Sequence, residues 1–99
     1  MKISIQEVCG KNTATRVDGE KVNKLIRESW EKEPVIELDF GNLMVASVSF
    51  MDQAIGLLAE DFQQNELVSK LRLLNINDAD KKLLNEVLIS RYKNKKSRQ

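Results

Sequence analysis

The stretch Val35-Ile36-Glu37-Leu38-Asp39-Phe40-Gly41-Asn42 decides how this chain folds. Its first six residues are mostly β-branched or apolar. In the second half Leu38 and Phe40 alternate with Glu37 and Asp39, the two-residue period of a strand with one buried face. Pro34 before it stops any preceding helix, and Gly41-Asn42 after it turns the chain. Upstream, Val22, Leu25, Ile26 and Trp30 recur at the spacing of one buried helix face. They predict a helix from Gly19 to about Lys32, capped by Asp18, with Lys21, Lys24, Arg27, Glu28 and Glu31 on its other side. Further upstream, Lys2-Ile3-Ser4-Ile5 alternates again and predicts another strand, followed by loop residues from Cys9 to Thr13.

Downstream of the turn, Leu43 to Val48 is a short apolar step. Ser49 is a good N-cap, with Asp52 three residues on in a capping-box spacing. The helix it opens carries Met51, Ala54, Ile55, Leu58 and Phe62 on one stripe, and Gln63-Gln64-Asn65 breaks the pattern. Glu66 to Lys70 reads as one more helical turn. Leu71 to Ile76 reads as a third strand, and Asn77 or Asp78 caps a last helix holding Leu83, Leu84, Val87, Leu88 and Tyr92. Strand and helix therefore alternate three times. The expectation is an α/β fold: a small mixed, partly parallel β-sheet with about three helices packed on one face. Residues 1–99 read as a single domain with a polar, basic C-terminal tail from about residue 93.

Composition narrows the chemistry. The chain has 99 residues, 41 % hydrophobic and 31 % charged, with 16 basic groups, 15 acidic groups, one cysteine and no histidine. Without histidine there is no Ser-His-Asp or Cys-His nucleophile pair and no histidine metal ligand. One cysteine makes neither an internal disulfide nor a cysteine-rich zinc site. A lone thiol, an N-terminus without an apolar signal core, and no apolar run of the ~18–20 residues that span a bilayer point to a soluble, cytoplasmic protein. No catalytic residue, cofactor or metal is expected.

Several local patterns carry chemistry in other proteins. Gly10-Lys11-Asn12-Thr13 has the outline of a phosphate-binding loop, but Ile5 stands where the first glycine belongs and Asn12 where Ser or Thr follows the lysine. It reads as a strand-to-helix loop. Cys9 reads as a half-buried structural thiol. Glu37 and Asp39 share one strand face, and Glu60-Asp61 lies near a helix end; both pairs read as solvated. Arg91, Lys93, Lys95, Lys96 and Arg98 form a basic run. Without it residues 1–90 hold eleven basic against fifteen acidic groups, so a body of −4 is offset by a tail of +5. Such a tail attracts nucleic acid or complements the negative end of the last helix; with Tyr92 as its one aromatic, the structural use is favoured.

Two segments carry a family resemblance. Val35 to Leu43, followed by Ala46-Ser47-Val48-Ser49-Phe50-Met51-Asp52, resembles the STAS-like family of small bacterial proteins, relatives of the STAS domains of sulfate transporters and anti-sigma-factor antagonists. Leu71-Arg72-Leu73-Leu74-Asn75-Ile76-Asn77 is similar to the family's next strand and its exit, and Lys81-Lys82-Leu83-Leu84 to the start of its final helix. The resemblance implies a non-enzymatic regulatory module that binds a protein, an anti-sigma-like factor or a histidine-kinase-type ATPase. It implies a docking surface of Ser47, Val48, Ser49, Phe50, Met51, Asp52 and Gln53. In the antagonists a serine at this helix start is phosphorylated to release the partner. The corresponding pair falls on Ser47 and Val48 here, so the candidate phosphoacceptors are the flanking Ser47 and Ser49. Other readings are an accessory subunit of a membrane transporter, nucleic-acid binding through the tail, and a homodimer paired at an exposed sheet edge.

Overall fold

The computed structural model of the chain describes residues 1–10 and 15–97, with side chains as far as residue 94. Strand β1 (Lys2–Ser4) runs directly into a short helix α1 (Ile5–Cys9). Helix α2 (Arg16–Ser29) and strand β2 (Ile36–Asp39) follow. A composite helical segment comes next: α3 (Val48–Met51), one π-helical turn (Asp52–Gly56) and α4 (Leu58–Asp61). Helix α5 (Gln64–Lys70), strand β3 (Leu71–Leu74) and helix α6 (Asp78–Ser97) complete the order.

The three strands stand in the order β1-β2-β3, with Ile3 opposite Leu38 and Leu38 opposite Leu73. The sheet is more regular than expected, for both pairings are parallel. Right-handed crossovers on a sheet that grows in one direction put every connecting helix on the same face. Burial agrees. Ile3, Ile36 and Leu38 point into the core, while Lys2 and Arg72 are exposed and Glu37 and Asp39 half-buried on the uncovered side. The alternation that predicted β2 is thus the division between the two faces.

The core joins these strand residues to Val22 and Ile26 of α2 and to Phe50, Met51, Ala54, Ile55 and Leu58, with Leu84 and Val87 from α6. Fully burying one such side chain contributes about 1.5–3 kcal/mol. Gly19 sets the distance between α2 and the composite segment. A Cβ there would lie 2.8 Å from the Phe50 carbonyl oxygen and 2.9 Å from Gln53 Cβ. Only a residue without a side chain permits that approach.

Helix starts differ from the sequence reading. Helix α2 begins earlier, capped by Thr15, and Asp18 is the N3 residue of its capping box: Asp18 N–H donates to Thr15 Oγ1 (3.2 Å) and Thr15 N–H to Asp18 Oδ2 (3.1 Å). Helix α3 is capped by Ser47, whose Oγ accepts from Phe50 N–H at 3.1 Å; Ser49 is not the cap and lies inside the first turn. In both cases two capping residues stood close together, and the one that wins is fixed by where the preceding loop enters. Helix α1 takes Ile5 from the expected strand and Cys9 from the expected loop, and is too short to show a period in the sequence.

Candidate functional site

A parallel sheet delivers all its strands in one direction, so the loops after β1, β2 and β3 gather at one end. β1 passes directly into α1, capped by Ser4, and the loop after α1 leads to Thr15; the loops after β2 and β3 lead to Ser47 and Asn77. Every described residue with positive φ lies in these loops: Gly10, Gly41, Asn42, Ala46 and Asn75. Ala46, at φ 46°, is the costly one, because its Cβ disfavours the left-handed region that Gly and Asn tolerate. Its conformation is imposed from outside.

Two sets of hydrogen bonds impose it. At the start of the β2–α3 loop, Asp39 Oδ1 accepts from Gly41 N–H and from Asn75 Nδ2, both at 2.9 Å, and Lys2 Nζ lies 3.4 Å from Asp39 Oδ2. These bonds, Asn75's first and Gly41's second, hold the Asp39 carboxyl below its ordinary pKa. At the end of the loop, Asp80 is 1 % exposed and accepts from Val45 N–H at 2.7 Å, Ala46 N–H at 2.8 Å and Asn77 Nδ2 at 2.8 Å. Asn77 Nδ2 also donates to the Leu43 carbonyl at 3.0 Å. A buried carboxylate is stable only when its oxygens are met by donors, and here the loop's own amides meet them. The carboxylate and the left-handed Ala46 thus require each other.

The segment so held presents Met44 (67 % exposed), Val48 (58 %) and Ser49 to solvent. Phe50 and Met51, expected on the docking surface, are fully buried in the core and contribute nothing to it. Of the predicted set Val48 and Ser49 are exposed, and Ser47, Asp52 and Gln53 are half-buried. Arg16, Val48, Ser49, Asp52, Gln53 and Arg91 line one shallow depression. With its amide oxygen turned to α2, Gln53 accepts from Arg16 Nη2 (3.1 Å) and Nε (3.2 Å).

Asp52 is not a free docking group. Arg91 Nε donates to its Oδ1 at 2.7 Å and Nη2 to its Oδ2 at 2.5 Å, while Arg91 Nη1 donates to Glu60 Oε1 at 2.8 Å. Two carboxylates hold this guanidinium charged, its pKa pushed above the usual arginine value chiefly by the Asp52 bond. The clamp meets the π-helical turn, where Leu57 N–H reaches back to the Asp52 carbonyl at 2.9 Å. Gly56 leaves the room: a Cβ would stand 2.6 Å from Asp52 Oδ1 and 2.9 Å from Val87 Cγ1.

Other sequence readings are corrected or placed. Glu60 is half-buried and paired with Arg91, against the solvated reading, whereas Asp61 is exposed as expected and pairs with Arg27 at 2.7 Å. Arg91 belongs to the fold and not to the basic tail, which weakens the case for nucleic acid. Lys11, Asn12, Thr13 and Arg98, and the side chains of Lys95 and Lys96, lie outside the described residues. Cys9 is half-buried, its thiol pushed up to about 11 by burial and by the Asp18 charge. Among the described residues no group of three or more Asp, Glu or Cys is placed to hold a metal, and no helix is long and apolar enough to cross a membrane. Sequence reasoning missed Asp80, Arg16 and Met44. For Asp80 the one signal was the Asn77-x-x-Asp80 spacing of a capping box.

The model of a family described as a STAS-like domain of unknown function (DUF4325) matches residues 18–81, nearly two thirds of the chain, from the start of α2 to the first turn of α6. No curated protein and no solved structure matched.

Proposed function

The chain belongs to this STAS-like family, and from that premise we propose that it is a non-enzymatic regulatory module that docks another protein through the β2–α3 loop and the first turn of α3. The observation that carries the reading is the presentation of Met44, Val48 and Ser49 on backbone fixed by the buried Asp80. Exposed apolar side chains on a loop ordered in advance lose little entropy when a partner covers them. The partner class is an anti-sigma-like factor or a histidine-kinase-type ATPase, carried over from the STAS resemblance.

The same reading places the switch on Ser49. The Ser47 hydroxyl is committed to the helix cap, whereas Ser49 is exposed and lines the same depression as Arg16 and Arg91. A phosphate there adds roughly two negative charges at the helix start, beside Arg16 and the Asp52 carboxylate that Arg91 holds.

Quantitative affinity capture from the source cells tests the reading, with Lys24→Glu as a surface control. Val48→Glu is expected to reduce recovery of an ATPase or anti-sigma-like partner at least about tenfold, since burying a charge costs that much or more. Ser49→Glu is expected to do the same, and Lys24→Glu to change nothing. If every recovered protein is retained by Val48→Glu, the surface is wrong.

A further inference from the structure

We propose that the chain pairs with a second copy of itself through an uncharged cleft between α5 and α6, on the side of α6 opposite the docking surface. β3 is an edge strand, and its Leu71 and Leu73 are only half-buried beneath this cleft. Val68 of α5 and Ile89 of α6 stand on its two walls, 73 % and 56 % exposed. A helix that buries one face needs one apolar stripe, and Leu84 and Val87 supply it. Leu88 and Tyr92, half-buried against the core, widen that stripe toward the cleft, and Ile89 carries it into solvent.

Charge identifies the occupant. Nearly a third of the chain is charged, yet none of the residues lining this cleft is. A two-fold contact sets each group against its own copy or its near neighbours. A carboxylate or an ammonium there meets like charge, and an apolar side chain does not. The polar groups that do line the cleft, Asn85 and Gln64, are amides, which both donate and accept and so pair with their own copies. A surface free of charge at its centre, with self-complementary polar groups, meets its own copy across a two-fold axis without like-charge repulsion. The contact leaves Val48, on the other side of α6, uncovered.

Light scattering coupled to gel filtration, over concentrations up to about 0.5 mM, reaches even a weak dimer. The expected mass is twice 11.3 kDa for the unaltered chain. Val68→Lys and Ile89→Lys each put like charges across the axis and are expected to return the mass to 11.3 kDa. Both positions are exposed, so the monomer's circular dichroism and thermal unfolding in dilute solution should be unchanged. A single-chain mass at every concentration overturns the proposal, whether the cleft is bare or serves another protein. So does a dimer that survives both substitutions.

Discussion

The carboxylate of Asp80 offers the sharpest test of how the docking loop is held. Replacing it with alanine removes three acceptor contacts, 2.7–2.8 Å long, and leaves the N–H groups of Val45 and Ala46 facing a small void. Hydrogen bonds to a charged group are worth about 1.5–3 kcal/mol each, but their gain is offset by the cost of burying the charge. Removing one partner of such a buried arrangement costs about 3–5 kcal/mol. That is a large part of the roughly 5–15 kcal/mol that stabilises a typical domain, and it lowers Tm by at least about 12 °C. Asp80→Asn is the informative companion. It keeps the shape, but one oxygen becomes an NH2 that must face a backbone N–H or turn toward Asn77. About 2–3 kcal/mol should be lost, since one buried donor then goes unmet. Urea unfolding measures both values. Hydrogen exchange adds a local readout: the Val45 and Ala46 amides should lose protection in Asp80→Ala by a larger factor than the Leu38 amide. An Asn variant within about 0.5 kcal/mol of the unaltered chain, or Val45 protection that survives in the alanine variant, refutes the reasoning.

Three further outcomes are expected. Gly56→Ala should destabilise by about 1–3 kcal/mol in urea unfolding, although alanine is the better helix former by about 1 kcal/mol, because the new Cβ displaces Asp52 or Val87. Combined with Arg91→Ala its cost should be less than additive, as both act on one clamp. Cys9, with its thiol at about 11, should react with iodoacetamide at pH 8 about a hundredfold more slowly than a free cysteine, and urea should abolish the difference. The folded pKa of Asp39 lies below its ordinary 3.8, so what it contributes is present above that value and is lost as pH falls below it. The urea midpoints of the unaltered chain and Asp39→Asn should therefore differ at pH 7 and converge in acid.

Most of the fold was legible because strands and long helices write a period into the chain. Leu38 and Phe40 against Glu37 and Asp39 is the burial pattern itself, with Leu38 and Phe40 at 0 % exposure. Val22 and Ile26 likewise mark the buried face of α2. What failed was local choice between near-equal candidates. Thr15 or Asp18, and Ser47 or Ser49, differ as caps only in where the preceding loop enters, and that is decided by contacts far away in sequence. The π-helical turn was also invisible: Met51, Ala54, Ile55 and Leu58 keep an ordinary helical spacing across it.

The same distinction explains the site, and it decides which variants are worth making. Ser47 as a helix start could be read nearly correctly because a cap acts three residues away. Asp80 and Arg91 could not, because the loop amides that meet Asp80 and the carboxylates that meet Arg91 lie 31–39 residues distant. Arg91 looked like the first member of a basic run, and only the fold turns it back onto Asp52 and Glu60. Two of the surface positions named from sequence, Phe50 and Met51, are core residues, and a third, Asp52, is one arm of a clamp between α6 and the π-helical turn. Substituting any of these three perturbs the fold first, so loss of a partner in such a variant says nothing about docking. Val48 and Ser49 differ. They are exposed, they lie within one turn of the cap, and the contacts that fix their backbone belong to Asp80 and Ser47. Partner loss at Val48 with unchanged unfolding is therefore the result that separates recognition from stability.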